Sequence, residues 1–444
     1  MVVLGLGTNL PDRLTHLRQT LQLIKRIPGL TVKKVSPVYL SDALLPENAP
    51  PEWNSPYLNS AVLCDTSLTP QDVLRYAKKI ELLVGRTPEK KWGPRIVDID
   101  ILAWDDLVLY DDQLHIPHEH LSDRPFALWP LADVMPHWIF PLPNLWQGKT
   151  AAEIASQWGS RWSGKAPFRT RLIPQRIDTP ELMGIVNITP DSFSDGGRFA
   201  DPAHALAHIK QLVHDGADII DLGAEATGPT ATLISPEQEW QRLQPLLDGL
   251  LPDIADWVIK PKISIDTRHA ATAEKALSLG VDWINDVSGL EDPNMCAVIA
   301  HHGCDAVLMH QLGIPASQTK RLAPEENPVP IVLEWAMRRL EKLIQLGLSP
   351  DKLIVDIGIG YGKSPTLSIQ LLENIEIFKK IPARLLIGHS RKSFLSALTE
   401  QPVQERDLET TLFSLFLAAH QVDFLRVHNI AMHARAFALG FLFF

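Results

Sequence analysis

The chain has 444 residues, 45% of them hydrophobic, 21% charged and 7% aromatic, with a formal net charge of −10. This composition excludes wholesale disorder, a collagen-like repeat and a disulfide-stapled mini-protein, and the length predicts two or three domains. The acidic balance argues against nonspecific nucleic-acid binding, while local cation clusters remain free to take anionic small molecules. Cys64, Cys296 and Cys304 form no CxxC pair, which fits a reducing compartment. No basic leader precedes the short apolar start MVVLGLG, and no apolar run reaches the roughly 18 residues of a spanning helix. The expectation is a cytoplasmic protein with neither a membrane nor a nucleic-acid partner.

In chain order, Val2 to Leu6 reads as a strand and Leu14 to Ile27 as a helix, with Leu14, Leu17, Leu21 and Ile24 at helical spacing. Strand-like segments follow around 32–40 and 57–64. Thr69-Pro70 supplies an N-cap and a first-turn proline for a helix to Val84, and 97–103 reads as another strand. This β-α-β-β-α-β order predicts a ferredoxin-like α+β sandwich over 1–153. Residues 154–177 contain Arg161, Lys165, Arg169, Arg171 and Arg176, no acid, and the breakers Gly159, Gly164, Pro167 and Pro174. They read as a solvated linker in preference to a phosphate-steering surface.

From 178 to 444, eight short apolar runs recur: MGIVNIT, ADIIDLG, KISIDT, DWINDV, DAVLMH, KLIVDIG, RLLIGHS and DFLRVHN. Most are separated by helix-like segments, the pattern of a parallel sheet buried on both faces. Eight over about 260 residues predict a (β/α)8 TIM barrel. Polar residues sit at or just past the ends of the runs: Asn187, Glu225, Asp266, Asn285, His310, Asp356, Ser390 with Lys392, and Arg426 with His428. Such barrels place chemistry at that face, so an active site is expected there. The apolar end AFALGFLFF reads as a last helix packed in a core or a subunit interface.

In the N-terminal half, Asp98 and Asp100 alternate within a strand, so both carboxylates project to one face. Such a pair is either a surface feature or a site for Mg2+, which shares its coordination with substrate phosphates. Arg86, Lys91 and Arg95 before it, with His118 and Arg124 after it, are cations suited to a triphosphate. The absence of GxxxxGK[ST] excludes a P-loop enzyme. HIPHEH (115–120) lacks accompanying ligands and is not expected to bind zinc.

The strings PYLNSAV (56–62), IELLVGR (80–86), WGPRIVDIDIL (92–102) and IPHEHLSDRPFALWPL (116–131) resemble the 6-hydroxymethyl-7,8-dihydropterin pyrophosphokinases, over about 1–145. The resemblance implies diphosphate transfer from ATP, as co-substrate, to the pterin hydroxymethyl group, with release of AMP. It places Mg2+ on Asp98 and Asp100, and the nucleotide against Arg86, Arg95 and His118 with Glu81 nearby. It places the pterin against Tyr57, Asn59 and Phe126, under mobile segments that include Trp92, Arg95 and Arg124. The bland alternatives are core aromatics for Tyr57 and Phe126 and a helix-surface charge for Glu81. The segment LSDALLPENAPPEWNSP (40–56) departs from the family, so pterin contacts there cannot be carried over.

In the C-terminal half, MGIVNITPDSFSDGG (183–197), SIDT (264–267), WINDVSG (283–289), DIGIGYGK (356–363), GHSRKS (388–393) and RVHN (426–429) resemble the dihydropteroate synthases, over about 178–444. The implied reaction displaces pyrophosphate from a dihydropterin-CH2-diphosphate with the amine of p-aminobenzoate. Asp266, Asn285 and Asp356 supply carboxylates and an amide for a pterin donor edge, and Lys392 for its rim. Arg426 and His428 suit the leaving diphosphate, and Asn187 the diphosphate or its Mg2+. Asp195 and Phe193 belong to a glycine-flanked lid, with Thr227 and Ser393 on the p-aminobenzoate side. Sulfonamides are the implied inhibitors, and a homodimer through the barrel is compatible with the apolar tail.

The second loop reads GAEATGPTA (223–231), with Gly228 and Ala226 where the family usually has arginine and serine. His301, His302 and Cys304 read as structural. The leading expectation is a bifunctional folate-biosynthesis transferase. A metal-dependent hydrolase barrel would want paired metal ligands where this chain has Asn187 before a Pro-Asp loop. A degenerate binding scaffold is supported by the altered second loop alone.

Overall fold

The computed structural model describes all residues except 12, 87–92, 174, 189–201, 229–230, 256, 258–259, 317–319 and 441–444. The chain divides into two units, Met1–Asp178 together with the C-terminal residues from Ala438, and Thr179–Phe437.

In the first unit the strand β1 (Val2–Thr8) is central because both of its faces are buried. A helix α1 (Arg13–Ile24) follows, then β2 (Leu30–Val35) and β3 (Val38–Ser41), broken at Ser36-Pro37. Next come β4 (Tyr57–Thr66), α2 (Pro70–Val84) and β5 (Asp98–Trp104). The Thr69 side chain accepts from Asp72 N to start α2, and Gly85, at φ 108°, ends it in a left-handed cap. A short pair β6 (Leu109–Tyr110) and β7 (His115–Ile116) precedes α3 (Pro125–Val134), α4 (Ala151–Ala155) and β8 (Arg171–Ile173).

The main sheet runs β5-β1-β4-β3-β8, with β2 also on β4, and its pairings are antiparallel. This is the expected ferredoxin-like arrangement with a second layer added. Val2, Leu4 and Leu6 pack with Leu17, Leu21, Val73 and Ile80 of α1 and α2. Val3, Ala61 and Leu102 face the opposite way, onto Leu128, Trp129 and Ile154 of α3 and α4.

The expected linker over 154–177 is corrected by this second layer. Ile154, Ala155, Ala166 and Leu172 are buried in its core, and β8 extends the sheet with Leu172 opposite Tyr39. The basic run is not a solvated tether: Arg161 pairs with Asp133, Arg169 grips Asp42 at 2.6 and 2.9 Å, and Arg176 grips Asp178.

In the second unit, strands β9 (Glu181–Asn187), β10 (Ile219–Gly223), β11 (Lys262–Asp266), β12 (Trp283–Asp286), β13 (Asp305–Met309), β14 (Leu353–Asp356), β15 (Arg384–Ile387) and β16 (Phe424–Val427) close into a parallel barrel. They correspond to the eight apolar runs. Met183, Ile219, Trp283, Val307, Ile354, Leu386 and Phe424 form a buried apolar cluster of their own. Side chains alternate along a strand, so inward positions recur two residues later. There the layer turns polar, with Asp221, Asn285, Asp356 and Arg426. Register brings Asn187, Gly223, Asp266 and Asn285 to one level at the C-terminal rim.

Two candidate active sites

In the first unit, Gly5 and Gly7 of β1 stand across the ladder from Asp100 and Asp98. Leu102 packs against Gly5, where a Cβ would lie 2.9 Å from it. Both glycines line a cavity of about 160 Å³ with Tyr57, Asn59, Arg95, Arg124 and Phe126. The two carboxylates flank buried Ile99 and share one face of β5. Arg86 donates to Asp98 at 2.8 Å and Arg95 to its other oxygen at 2.7 Å. Glu81 is no surface charge: it is 3% exposed, accepts from Ile99 N at 2.9 Å and pairs with Arg86 at 2.6 Å. It therefore fixes both β5 and the guanidinium that meets Asp98.

His118 Nε2 stands 3.9 Å from Asp100, while its Nδ1 lies 2.9 Å from the Glu119 carbonyl. Asn59 donates to Ser41 Oγ at 3.0 Å, and Phe126 meets Phe168 edge-on with centroids 5.3 Å apart. Ser41, Asp42 and Leu44 also line the cavity. They come from the segment whose contacts could not be carried over from the resemblance. Trp92 and Lys91 lie outside the described residues.

Burial alone would raise both aspartates, but their neighbours differ. Arg95 and Arg86 hold Asp98 below the usual carboxylate range. Asp100 is pushed up to about 6 by burial and by the Asp98 charge, against the pull of His118. Two hard oxygen donors on one face, one of them protonating easily because burial and the other's charge both oppose its ionisation, fit a divalent cation. A cation that keeps water and phosphate ligands needs no more protein donors than this pair.

At the barrel rim, Arg426 donates from Nε to Asp221 at 2.6 Å and from Nη2 to Asp266 at 2.8 Å. Asp221 is fully buried and also accepts from Ser264 at 2.6 Å and Asn285 at 3.1 Å. The guanidinium plane is therefore fixed from below. Asp356 accepts from Gly358 N at 2.8 Å. Lys392 donates to the Ile359 carbonyl at 2.6 Å, with its ammonium 4.9 Å from the Tyr361 ring centre. At Gly223 a Cβ would lie 3.5 Å from both Asn187 Oδ1 and Asp266 Cβ, so the glycine keeps a gap between those two side chains.

Burial pushes Asp266 up to about 7 despite Arg426, raises Asp356 despite Lys392, and lowers Lys392 to about 8 despite Asp356. His428 is hydrogen-bonded to Ser390 at 2.9 Å and is pushed down to about 3 by burial and by Arg391 and Arg426. It is a neutral imidazole, so toward an anion it offers a hydrogen bond and no charge. His310 is buried, with its ring edge against Trp335 and its pKa pushed down to about 3 by burial; its carbonyl accepts from Lys363 at 3.4 Å. Ser393 is exposed at the start of a one-turn helix, Ser393–Ala397. Asp195 and Phe193 lie outside the described residues.

Sequence reasoning missed Asp221, Tyr361 and Lys363. Asp221 left a signal, a charge within the apolar strand of ADIIDLG two residues after the inward Ile219. Lys363 holds the turn after β14, donating to the carbonyls of Gly358 at 2.7 Å and Tyr361 at 3.0 Å.

Residues 3–136 match the family 7,8-dihydro-6-hydroxymethylpterin-pyrophosphokinase, and 183–428 match the family Pterin binding enzyme. A folate synthesis bifunctional protein of Chlamydia muridarum is 38% identical over 98% of this chain and 97% of its own length. Among solved structures, a dihydropteroate synthase of Anaplasma phagocytophilum with bound 6-hydroxymethylpterin-monophosphate has a TM-score of 0.55 and 37% identity, covering 60% of this chain and 100% of that one. A Yersinia pestis dihydropteroate synthase in complex with a sulfonamide drug has a TM-score of 0.55 and 29% identity, covering 60% of this chain and 94% of that one. Among the described residues no helix is long and apolar enough to cross a membrane. With a pyrophosphokinase region ahead of a pterin-binding barrel over nearly its whole length, the chain belongs to the bifunctional folate-synthesis transferases.

Proposed function

We infer that the first unit transfers a diphosphate from ATP to 6-hydroxymethyl-7,8-dihydropterin, releasing AMP, and that the second joins the resulting pterin diphosphate to p-aminobenzoate, giving 7,8-dihydropteroate and pyrophosphate. The observation that carries the reading is the pairing of sites. A carboxylate pair ringed by cations adjoins an aromatic-walled cavity in one unit, and a carboxylate–guanidinium rim crowns a barrel in the other.

In the first reaction Asp98 and Asp100 would hold Mg2+, whose bound charge offsets that of the nucleotide phosphates. Arg86, Arg95, Arg124 and His118 add donors for the same phosphates, with Arg86 kept in place by Glu81. Phe126 and Tyr57 offer aromatic surfaces to the pterin, and Asn59, turned by Ser41, offers an amide to its edge. Trp92 is assigned to the nucleotide side on the family pattern alone.

In the second reaction the C–O bond to the diphosphate breaks and its electron pair leaves with the diphosphate. The amine nitrogen forms the new C–N bond and gives up a proton. Asp266, Asn285 and Asp356 would accept from and donate to the pterin edge, while Lys392, mostly protonated at neutral pH, donates to its rim. Arg426, neutral His428 and Asn187 are assigned to the departing diphosphate, where fixed donors stabilise charge as it develops. Thr227, Ser393 and Phe193 are assigned to the p-aminobenzoate side, and Asp195 to the lid.

We assign the kinase to 1–153, with 154–178 as part of the same unit, and the synthase to the barrel that follows. Sulfonamides are the proposed inhibitors, supported by the drug-bound Yersinia relative. A cytoplasmic setting is supported by three free, buried cysteines. A homodimer through the helix Asp407–Ala419 is supported by Leu408 and Leu412, 60% and 58% exposed on it.

The test is mass spectrometry of the full chain incubated with hydroxymethyldihydropterin, ATP, Mg2+ and p-aminobenzoate. AMP and dihydropteroate are expected together. Pterin diphosphate accumulating without dihydropteroate would overturn the barrel assignment, and no AMP would overturn the first.

A further inference from the structure

The second rim loop carries Gly228 in place of a cation, yet its described part is tethered from several sides. Glu225 accepts two nitrogens of Arg268, from the loop after β11, at 2.7 and 3.0 Å. Glu225 also accepts from Ile234 N at 2.8 Å. The Thr227 carbonyl accepts from Ala316 N at 3.0 Å. The Thr227 hydroxyl shares a hydrogen bond of 2.8 Å with the phenol of Tyr361, in the turn after β14. The ring of that same tyrosine lies 4.9 Å from the Lys392 ammonium. One half-buried side chain therefore touches both the loop and a lysine assigned to the pterin rim.

We propose that Tyr361 is a positioning residue for the condensation, its hydroxyl holding Thr227 and the second loop against the rim while its ring seats Lys392. The proposal rests on the assignment of this rim to p-aminobenzoate and the pterin diphosphate. The two functions are separable in one side chain. A phenylalanine would keep the ring under the ammonium and lose only the tie to Thr227. Both partners of the tie are hydroxyls, and burial pushes the phenol above its ordinary value, so the tie does not depend on charge at neutral pH. A loop held before substrate arrives pays less ordering cost on binding, and its apparent affinity scales with the fraction already in place.

The experiment compares the full-length wild type with Tyr361→Phe, Thr227→Val and the double variant. Two readouts are taken: steady-state dihydropteroate formation, and hydrogen–deuterium exchange of the peptide containing Thr227. Tyr361→Phe is expected to raise KM for p-aminobenzoate about three- to tenfold, the range one neutral hydrogen bond supports. kcat and the KM for pterin diphosphate should move less than twofold. Thr227→Val, which also removes a hydroxyl assigned to the p-aminobenzoate side, should raise that KM at least as far, and the double variant should be no worse than Thr227→Val alone. Exchange near Thr227 should quicken in all three variants.

Unchanged exchange in Tyr361→Phe overturns the proposal whatever the kinetics. Quickened exchange with an unchanged p-aminobenzoate KM, or additive single effects, also overturns it. If the wild type forms no dihydropteroate but exchange still responds, the reaction assignment has failed and the tether stands.

Discussion

Asp221→Asn isolates what holds the barrel's cationic centre. Asp221 is fully buried, and its carboxylate takes the Arg426 Nε at 2.6 Å, Ser264 at 2.6 Å and Asn285 at 3.1 Å. An asparagine keeps the shape and one acceptor, but turns an NH2 group toward donors and removes the charge opposite Arg426. Breaking a buried pair by losing one partner costs ~3–5 kcal/mol. Asp266 still holds Nη2 at 2.8 Å, which favours the low end, about 3 kcal/mol. For a unit of this size about 1 kcal/mol shifts the melting temperature by 2–4 °C, so a loss of about 6–12 °C is expected in calorimetry at pH 7.5. With one like charge gone, Asp266 should also titrate below its present value of about 7. Arg426 would be free to tilt, and misplacement by about 1 Å can cost a hundredfold in rate. Dihydropteroate formation should therefore fall about that far, while AMP release from the first unit serves as the internal control. A variant that melts within about 1 °C of wild type and keeps its condensation rate would show that Asp266 alone holds the guanidinium, and would refute the reasoning.

Asp98→Asn and Asp100→Asn should each cut AMP release at least about a hundredfold and spare condensation of supplied pterin diphosphate; equal loss of both activities would instead indicate misfolding. Asp100 titrates near 6 in the folded protein against about 4 unfolded. Because its folded value is raised, its contribution to stability is complete below about pH 4 and is lost as pH rises through 6. Mg2+ should therefore raise the first unit's melting temperature more at pH 7.5 than at pH 5, and equal shifts would contradict the carboxylate pair as its site. Among the described residues an added Cβ at Gly228 meets nothing within 4 Å, so Gly228→Arg has room there to supply the missing anion contact. The variant should lower the KM for p-aminobenzoate and sharpen sulfonamide inhibition; an unchanged or raised KM would count against the loop's role.

The strands of the barrel could be read from the chain because burial on both faces leaves near-continuous apolar runs, and because the residues just past them are polar for a reason. The chemistry needed at the rim interrupts an otherwise apolar pattern. The same logic explains what stayed hidden. The 154–177 stretch looked solvated because it contains no acid of its own, yet Arg161 finds Asp133 and Arg169 finds Asp42 across the fold. Local charge counting cannot see a partner that only a sheet edge brings close. Glu81 is placed near the nucleotide by resemblance alone, with a helix-surface charge as the alternative: helical periodicity marks which face turns inward, but not that the backbone of Ile99 waits there as a donor.

Tyr361 shows the limit most clearly. Within DIGIGYGK its aromatic ring is equally consistent with packing. Only the closure of the barrel sets its hydroxyl against Thr227, 134 positions away, and its ring against Lys392. Strand ends thus announce the residues assigned to substrate, whereas those that hold them, Asp221 on Arg426, Glu81 on Arg86 and Tyr361 on Thr227, are defined by contacts between elements. Those supporting residues are where substitutions should alter KM or stability before they abolish chemistry.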